Sequence, residues 1–156
     1  MAGPKVESRS ATDIAVIEHK GPYDSIPWDE YIPRLYGWAK EQKVMPGFRP
    51  IAIYHDDPGT RAPDELRAEI AITYKGRAKA SKGTVLKKLP AMRVATISHK
   101  GPKSEFRNTY AKLFKWIDEK GLEVSGPPME IHSKKPEVVD GVTTFYAKIM
   151  VPVRKR

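Results

Sequence analysis

A chain of 156 residues, 40% hydrophobic and 30% charged, has the size and balance of one folded domain and not of a disordered segment. Without cysteine it can form no disulfide, thiol nucleophile, thiolate zinc site or iron–sulfur cluster, and with no apolar run near about 20 residues and no apolar signal core in Met1–Ser10 it is expected to be soluble and cytoplasmic. The net charge of +9 is lopsided: residues 1–78 carry 11 basic and 12 acidic side chains and residues 79–156 carry 17 and 7, which opens an acidic protein or nucleic acid as a partner for the second half.

In chain order, Lys5–Ser8 is a short extended piece. Asp13–His19, rich in β-branched residues, predicts a strand that Gly21-Pro22 stops, because proline cannot continue a ladder and glycine permits the turn. Trp28, Ile32, Leu35 and Ala39 then mark a helix, which Pro33 either kinks or delays. Short and longer strands follow at Pro50–Tyr54 and Leu66–Tyr74, joined through a turn at Asp56-Asp57-Pro58-Gly59. Lys75–Gly83 is a polar, basic connection. Beyond it the same order returns: an extended piece at Thr84–Lys88, a strand at Arg93–His99 and a stop at Gly101-Pro102. Phe106, Tyr110, Leu113 and Ile117 form one apolar helical stripe, with Gly121 as its terminator. Strands at Pro128–His132 and Thr144–Val153 close the chain, with a turn expected at Lys134-Lys135-Pro136-Glu137.

The recurrence extends to individual residues. At an offset of 80, Ile14–Pro22 lies on Val94–Pro102, and His-Lys-Gly-Pro is identical in both. At 78, Leu35, Trp38, Glu41, Pro50 and Ile53 fall on Leu113, Trp116, Glu119, Pro128 and Ile131. At 79, Ala68-Glu69-Ile70 falls on Ala147-Lys148-Ile149. The expected fold is therefore α+β: two strand–helix–strand–strand units in one domain with approximate two-fold symmetry. The first repeat covers about 4–74, the connection 75–83 and the second repeat about 84–153.

The chain has no Gly-rich phosphate loop, serine-nucleophile motif or helix-turn-helix signature. Its histidines, His19, His55, His99 and His132, lack the spacing of helical metal ligands, so no metal and no cofactor are expected. His19 and His99 recur before Gly-Pro and read as structural. The aromatic surplus serves a two-copy core first, and a few of these rings are candidates to line a cleft in which a flat ligand stacks.

Taken together, His19-Lys20-Gly21-Pro22-Tyr23, Leu35-Tyr36-Gly37-Trp38, Ile53–Pro58, Pro63–Glu69, Leu89-Pro90-Ala91, His99–Pro102, Leu113–Trp116 and Ile149–Val153 resemble the GyrI-like small-molecule-binding family, also found as the effector-binding module of AraC- and MerR-type regulators. The resemblance implies an antiparallel sheet and a central groove between the two repeats that binds small, often cationic and aromatic molecules. Some relatives of this kind open cyclopropane rings of DNA-alkylating natural products by hydrolysis, and others are linked to gyrase inhibition or regulation. The resemblance also implies a groove-facing glutamate in the last strand, where this chain has Lys148; the matching place in the first copy is Glu69. A carboxylate in an apolar groove attracts cations and can act as a base, whereas an ammonium repels them or pairs with Glu69. Tyr23, Trp28, Glu69, Phe145 and Lys148 are thus the expected ligand contacts, and Glu69 the acid–base group if the chain is a hydrolase. A third reading places an acidic protein or nucleic acid on Lys79, Lys82, Lys87, Lys88, Arg154, Lys155 and Arg156.

Overall fold

The computed structural model describes residues 3–81 and 83–156, so Lys82 lies outside the described residues. Two compact units emerge. Ser10–Ala91 forms the first, and Met92–Arg156 with the strand β1 (Lys5–Arg9) forms the second.

The first unit runs β2 (Thr12–Lys20), α1 (Trp28–Gln42), β3 (Met45–Pro46), β4 (Ile51–Tyr54), β5 (Arg67–Lys75) and β6 (Val85–Leu89). Its strands pair antiparallel in the order β4-β5-β2-β6, and β3 pairs with the end of β5. Helix α1 is continuous across Pro33, so the proline marks no late start; having no N–H, it cannot donate to the Asp29 carbonyl. The helix ends at Lys43, a left-handed residue whose N–H bonds back to Lys40. Alternation along the strands sends Ala15, Ile17, Ala52, Ala68, Ile70, Ile72 and Tyr74 toward α1, where Leu35, Trp38 and Ala39 complete the core. Trp38 lies at its centre, fully buried and edge-on to Tyr74.

The second unit runs β7 (Met92–Gly101), α2 (Phe106–Glu119), β8 (Leu122–Val124), β9 (Met129–Val139) and β10 (Val142–Lys155). Its antiparallel order is β1-β7-β10-β9, with β8 on the end of β10. Leu113 and Ile117 of α2 meet Ala95, Ile97, Ile149, Val151 and Val153. Gly121, at φ +70, terminates the helix as expected.

Two arrangements differ from the simplest reading of the sequence. First, each leading strand is joined to its successor by two residues, Ser10-Ala11 or Pro90-Ala91, yet neither folds back as a hairpin. β1 pairs with β7, and β6 pairs with β2. Second, the turn expected at Lys134–Glu137 is strand. β9 continues to Val139, and the chain reverses at Asp140-Gly141, both at positive φ, with Val139 opposite Val142. Asp-Gly suits a two-residue hairpin turn, while Pro136 falls where the register slips and its missing N–H breaks no regular ladder.

Candidate functional site

Glu69 lies between Ala68 and Ile70, which face α1, so its carboxylate projects from the opposite face of the sheet. The residue is only 7% exposed. Side chains reach it from both sides, one of them from across β2. Lys87 on β6 donates to Oε2 at 2.6 Å, and His55, just past β4, lies in hydrogen-bond contact with Oε1. Burial alone would raise the Glu69 pKa. The Lys87 ammonium and the His55 bond outweigh it and hold the carboxyl below its ordinary range. Lys87 is raised in turn by Glu69, and it also lies 3.9 Å from Glu18. Glu18, His19, Lys20, His55, Arg67, Ala68, Glu69 and Lys87 line a recess of about 470 Å³, within the size range of small-molecule sites. Both oxygens of the buried carboxylate are engaged. The recess therefore offers a polar floor in which the Glu69 charge is balanced by Lys87.

Lys148 occupies the matching place on β10. Ile149 faces the helix, so Lys148 faces away from it, and its ammonium donates to Glu7 of β1 at 2.7 Å. Lys148 thus pairs within its own unit. Burial resists ionisation of Glu7, but the bond to Lys148 dominates and lowers its pKa. Glu7 and Lys87 occupy equivalent positions at the offset of 80, opposite Val94 and Ile14. The two units therefore carry one cross-strand ion pair with its polarity reversed: acid on the long strand and base on the edge in the first, base on the long strand and acid on the edge in the second.

The other expected contacts lie elsewhere. Tyr23 packs edge-on against Tyr54, and its hydroxyl donates to the Arg67 carbonyl at 2.6 Å and accepts from the Asp56 N–H at 3.1 Å. It ties the Gly-Pro turn to the start of β5. Trp28 packs, half-buried, on the helix-side core. Phe145 lies edge-on to Phe106 of α2, on the helix side of its sheet, whereas Lys148 lies on the other side. Within the first unit, Tyr23 and Trp28 belong to the helix side and Glu69 to the opposite face. Within the second, Phe145 and Lys148 are similarly divided. His55, Lys87 and Glu7, which complete the pairs, are not among the small-molecule contacts expected from sequence, where Lys87 is a candidate only for an acidic partner. Their signal was available in the opposite charges of Glu7 and Lys87 at one repeat position, read beside Glu69 and Lys148.

His19 and His99 hold equivalent structural posts. Nδ1 of His19 lies 3.2 Å from the Tyr31 hydroxyl, and Nδ1 of His99 lies 2.7 Å from Thr109 Oγ1, at the same helix position. No cluster of three or more His, Asp or Glu suited to a metal occurs among the described residues. Of the basic candidates, Lys87, Lys88, Arg154 and Arg156 are engaged with Glu69, Asp13, Glu123 and Asp118, while Lys79 and Lys155 are exposed. No helix among the described residues is long and apolar enough to cross a membrane.

The order of elements, the antiparallel pairing and the two helices define an α+β fold. The chain belongs to the family of the GyrI-like small molecule binding domain, whose pattern matches residues 3–154. It is 27% identical over 115 residues to a DNA gyrase inhibitor of Serratia proteamaculans (strain 568), a match covering 70% of this chain and 72% of that protein. In fold it is similar to the C-terminal domain of EcmrR, with a TM-score of 0.80, 18% identity and 98% of both chains covered. It spans 57% of the longer EcmrR chain solved in complex with DNA. A hydrolase from Listeria innocua shares the fold at a TM-score of 0.70 and 13% identity, with 97% of this chain and 92% of that one covered.

Proposed function

We propose that this chain is a non-enzymatic binder of a small aromatic or amphipathic molecule, and that the Glu69 recess takes an uncharged or weakly anionic part of it. The observation that carries the reading is the buried Glu69 carboxylate with both oxygens engaged, by Lys87 and by His55. A cationic ligand would have to displace the Lys87 ammonium, which already sits at 2.6 Å. The Lys87 and His55 bonds hold the Glu69 carboxyl below its ordinary range and so make it a weaker base, which sets the hydrolase reading behind binding. In the second unit, the Lys148–Glu7 pair fills the equivalent place and likewise leaves no unpaired carboxylate.

The test holds the ring constant and varies only charge: 2-naphthol, 2-naphthalenesulfonate and a naphthyl trimethylammonium salt, read by thermal shift and confirmed by calorimetry. A ligand that binds the native state raises Tm by mass action. Naphthol is expected to stabilise the wild type and the quaternary ammonium is not. Lys87→Met, which frees one Glu69 oxygen, should acquire ammonium binding, and Glu69→Gln with Lys87→Met should lose it again. Ammonium binding of equal strength in wild type and Lys87→Met would sink the reading.

A further inference from the structure

A second recess lies at the far end of the first unit, away from Glu69 along β5. It measures about 550 Å³ and is lined by Asp13, Gln42, Tyr74, Gly76, Arg77, Ala78 and Lys79. Its construction follows from the chain. Gly76, at φ +124, turns the backbone out of β5, and a Cβ there would sit 3.1 Å from Val44. The following strap is fastened across the end of α1. The Trp38 indole N–H donates to the Lys79 carbonyl at 2.9 Å, and the Lys79 N–H donates to Gln42 Oε1 at 3.0 Å. The strap is therefore a held wall and not a loose loop.

The side chains around this wall are unevenly committed. Tyr74 is 8% exposed, edge-on to Trp38, and its hydroxyl opens to the recess without a hydrogen-bond partner among the described residues. Burial raises its pKa, with a further push from Asp13, so the phenol stays neutral and able to donate. Arg77 and Lys79 are exposed and enter no ion pair among the described residues, whereas Asp13 already lies 3.7 Å from Lys88. Two exposed cations at the rim, a phenol hydroxyl open to the recess and apolar surface from Ala78 form the complement of a flat molecule ending in an oxyanion.

We infer that the recess bounded by Tyr74, Arg77 and Lys79 is a binding site for a small aromatic carboxylate, with the carboxylate on Arg77 and Lys79 and the ring over Ala78 and the Tyr74 edge. The site is separate from Glu69 and stands whether or not that recess binds a ligand.

Trp38 supplies the readout, because its indole N–H is bonded to the strap itself. In 15N-labelled protein the indole signal of Trp38, assigned by Trp38→Phe, is followed during titration with salicylate, benzamide as the uncharged control, and inorganic phosphate. Salicylate should shift this signal saturably, with a dissociation constant on the order of 1 mM. Arg77→Ala should weaken binding about tenfold and Tyr74→Phe about threefold, each with an unchanged melting curve. Benzamide and phosphate should each bind far more weakly, since each lacks half of the complement. The inference is overturned by no saturable shift at about ten times that concentration. It is equally overturned by salicylate affinity that survives both substitutions, or by phosphate binding as tightly as salicylate.

Discussion

The two units place a tryptophan at the same point of their helices, and the surroundings treat it differently. Trp38 is fully buried, packs edge-on against Tyr74 and donates to the Lys79 carbonyl of the strap. Trp116 is half-buried and carries the Lys120 ammonium over its ring at 5.8 Å. The difference lies in the segment after the long strand. In the first unit, β5 leads into a connection that folds back over the helix end. In the second, β10 closes with Arg154, Lys155 and Arg156, and Arg156 pairs with Asp118. A repeated residue is thus a core anchor where the chain returns over it and a flank where it does not.

The largest expected effect tests that contrast. Trp38→Ala should cost about 3–5 kcal/mol, combining a large cavity with the loss of the strap's anchor. Trp116→Ala should cost about 1–2 kcal/mol, because only part of its ring leaves water on folding. Chemical denaturation of both variants measures the gap, and equal losses would show that the returning connection adds nothing.

The reversed ion pairs come next. Lys148→Glu sets two carboxylates face to face, as Glu7→Lys sets two ammonium groups, and each should lower stability by about 1 kcal/mol. The double exchange restores an ion pair, now with the first unit's polarity, and should recover most of the loss. In the first unit Glu69→Lys should cost more, about 3 kcal/mol, because Glu69 is nearly buried where Lys148 is over a third exposed. A double-mutant cycle with no coupling between positions 7 and 148 would remove the comparison.

Much of this was legible in the sequence. The offsets of 80, 78 and 79 placed both helices and the long strands, because a duplicated hydrophobic pattern must fold twice in the same way. The exchange of β1 and β6 was not legible: local pattern marks an extended piece and does not name its partner. The hairpin at Asp140-Gly141 was missed in favour of Pro136, although both residues suit the positive φ the turn requires. At the site, Glu69 and Lys148 were found as an exchanged pair of charges. Their partners were not, because cross-strand neighbours are fixed by register, and register depends on which strands pair.

The loop after β4 offers a test by pH. Arg67 forks onto Asp56 through two guanidinium contacts of 3.0 Å, and its own backbone N–H adds a third bond at 2.8 Å. These hold the Asp56 carboxyl down at about 2. Because the folded value is depressed, the stabilisation is complete above the ordinary aspartate range near pH 4 and fades as the pH falls toward 2. The second unit has Lys134 at this position and the Asp140-Gly141 turn in place of the loop. Asp56→Asn should therefore flatten the fall in Tm between about pH 4 and pH 2. A wild-type slope that persists in Asp56→Asn would assign the acid sensitivity elsewhere.

The smallest expected effect concerns the second unit alone. Glu130 lies 8% exposed on β9, where the first unit has the buried Ala52, and accepts from the Tyr110 hydroxyl at 2.5 Å. Burial raises its pKa, and the Tyr110 bond only partly opposes the rise. The sign is the reverse of that for Asp56. The folded state favours the protonated form, so this group's contribution is complete below the ordinary glutamate range and is lost as the pH rises through the elevated value. Glu130→Gln keeps an oxygen to accept from Tyr110 and removes the ionisation. The variant should match the wild type near pH 4 and exceed it at pH 7 by up to about 1 kcal/mol, whereas Tyr110→Phe, which strips the carboxyl of its donor, should be less stable at both. A variant weaker than wild type at pH 7 would mean that Glu130 is charged in the folded unit and held by more than Tyr110.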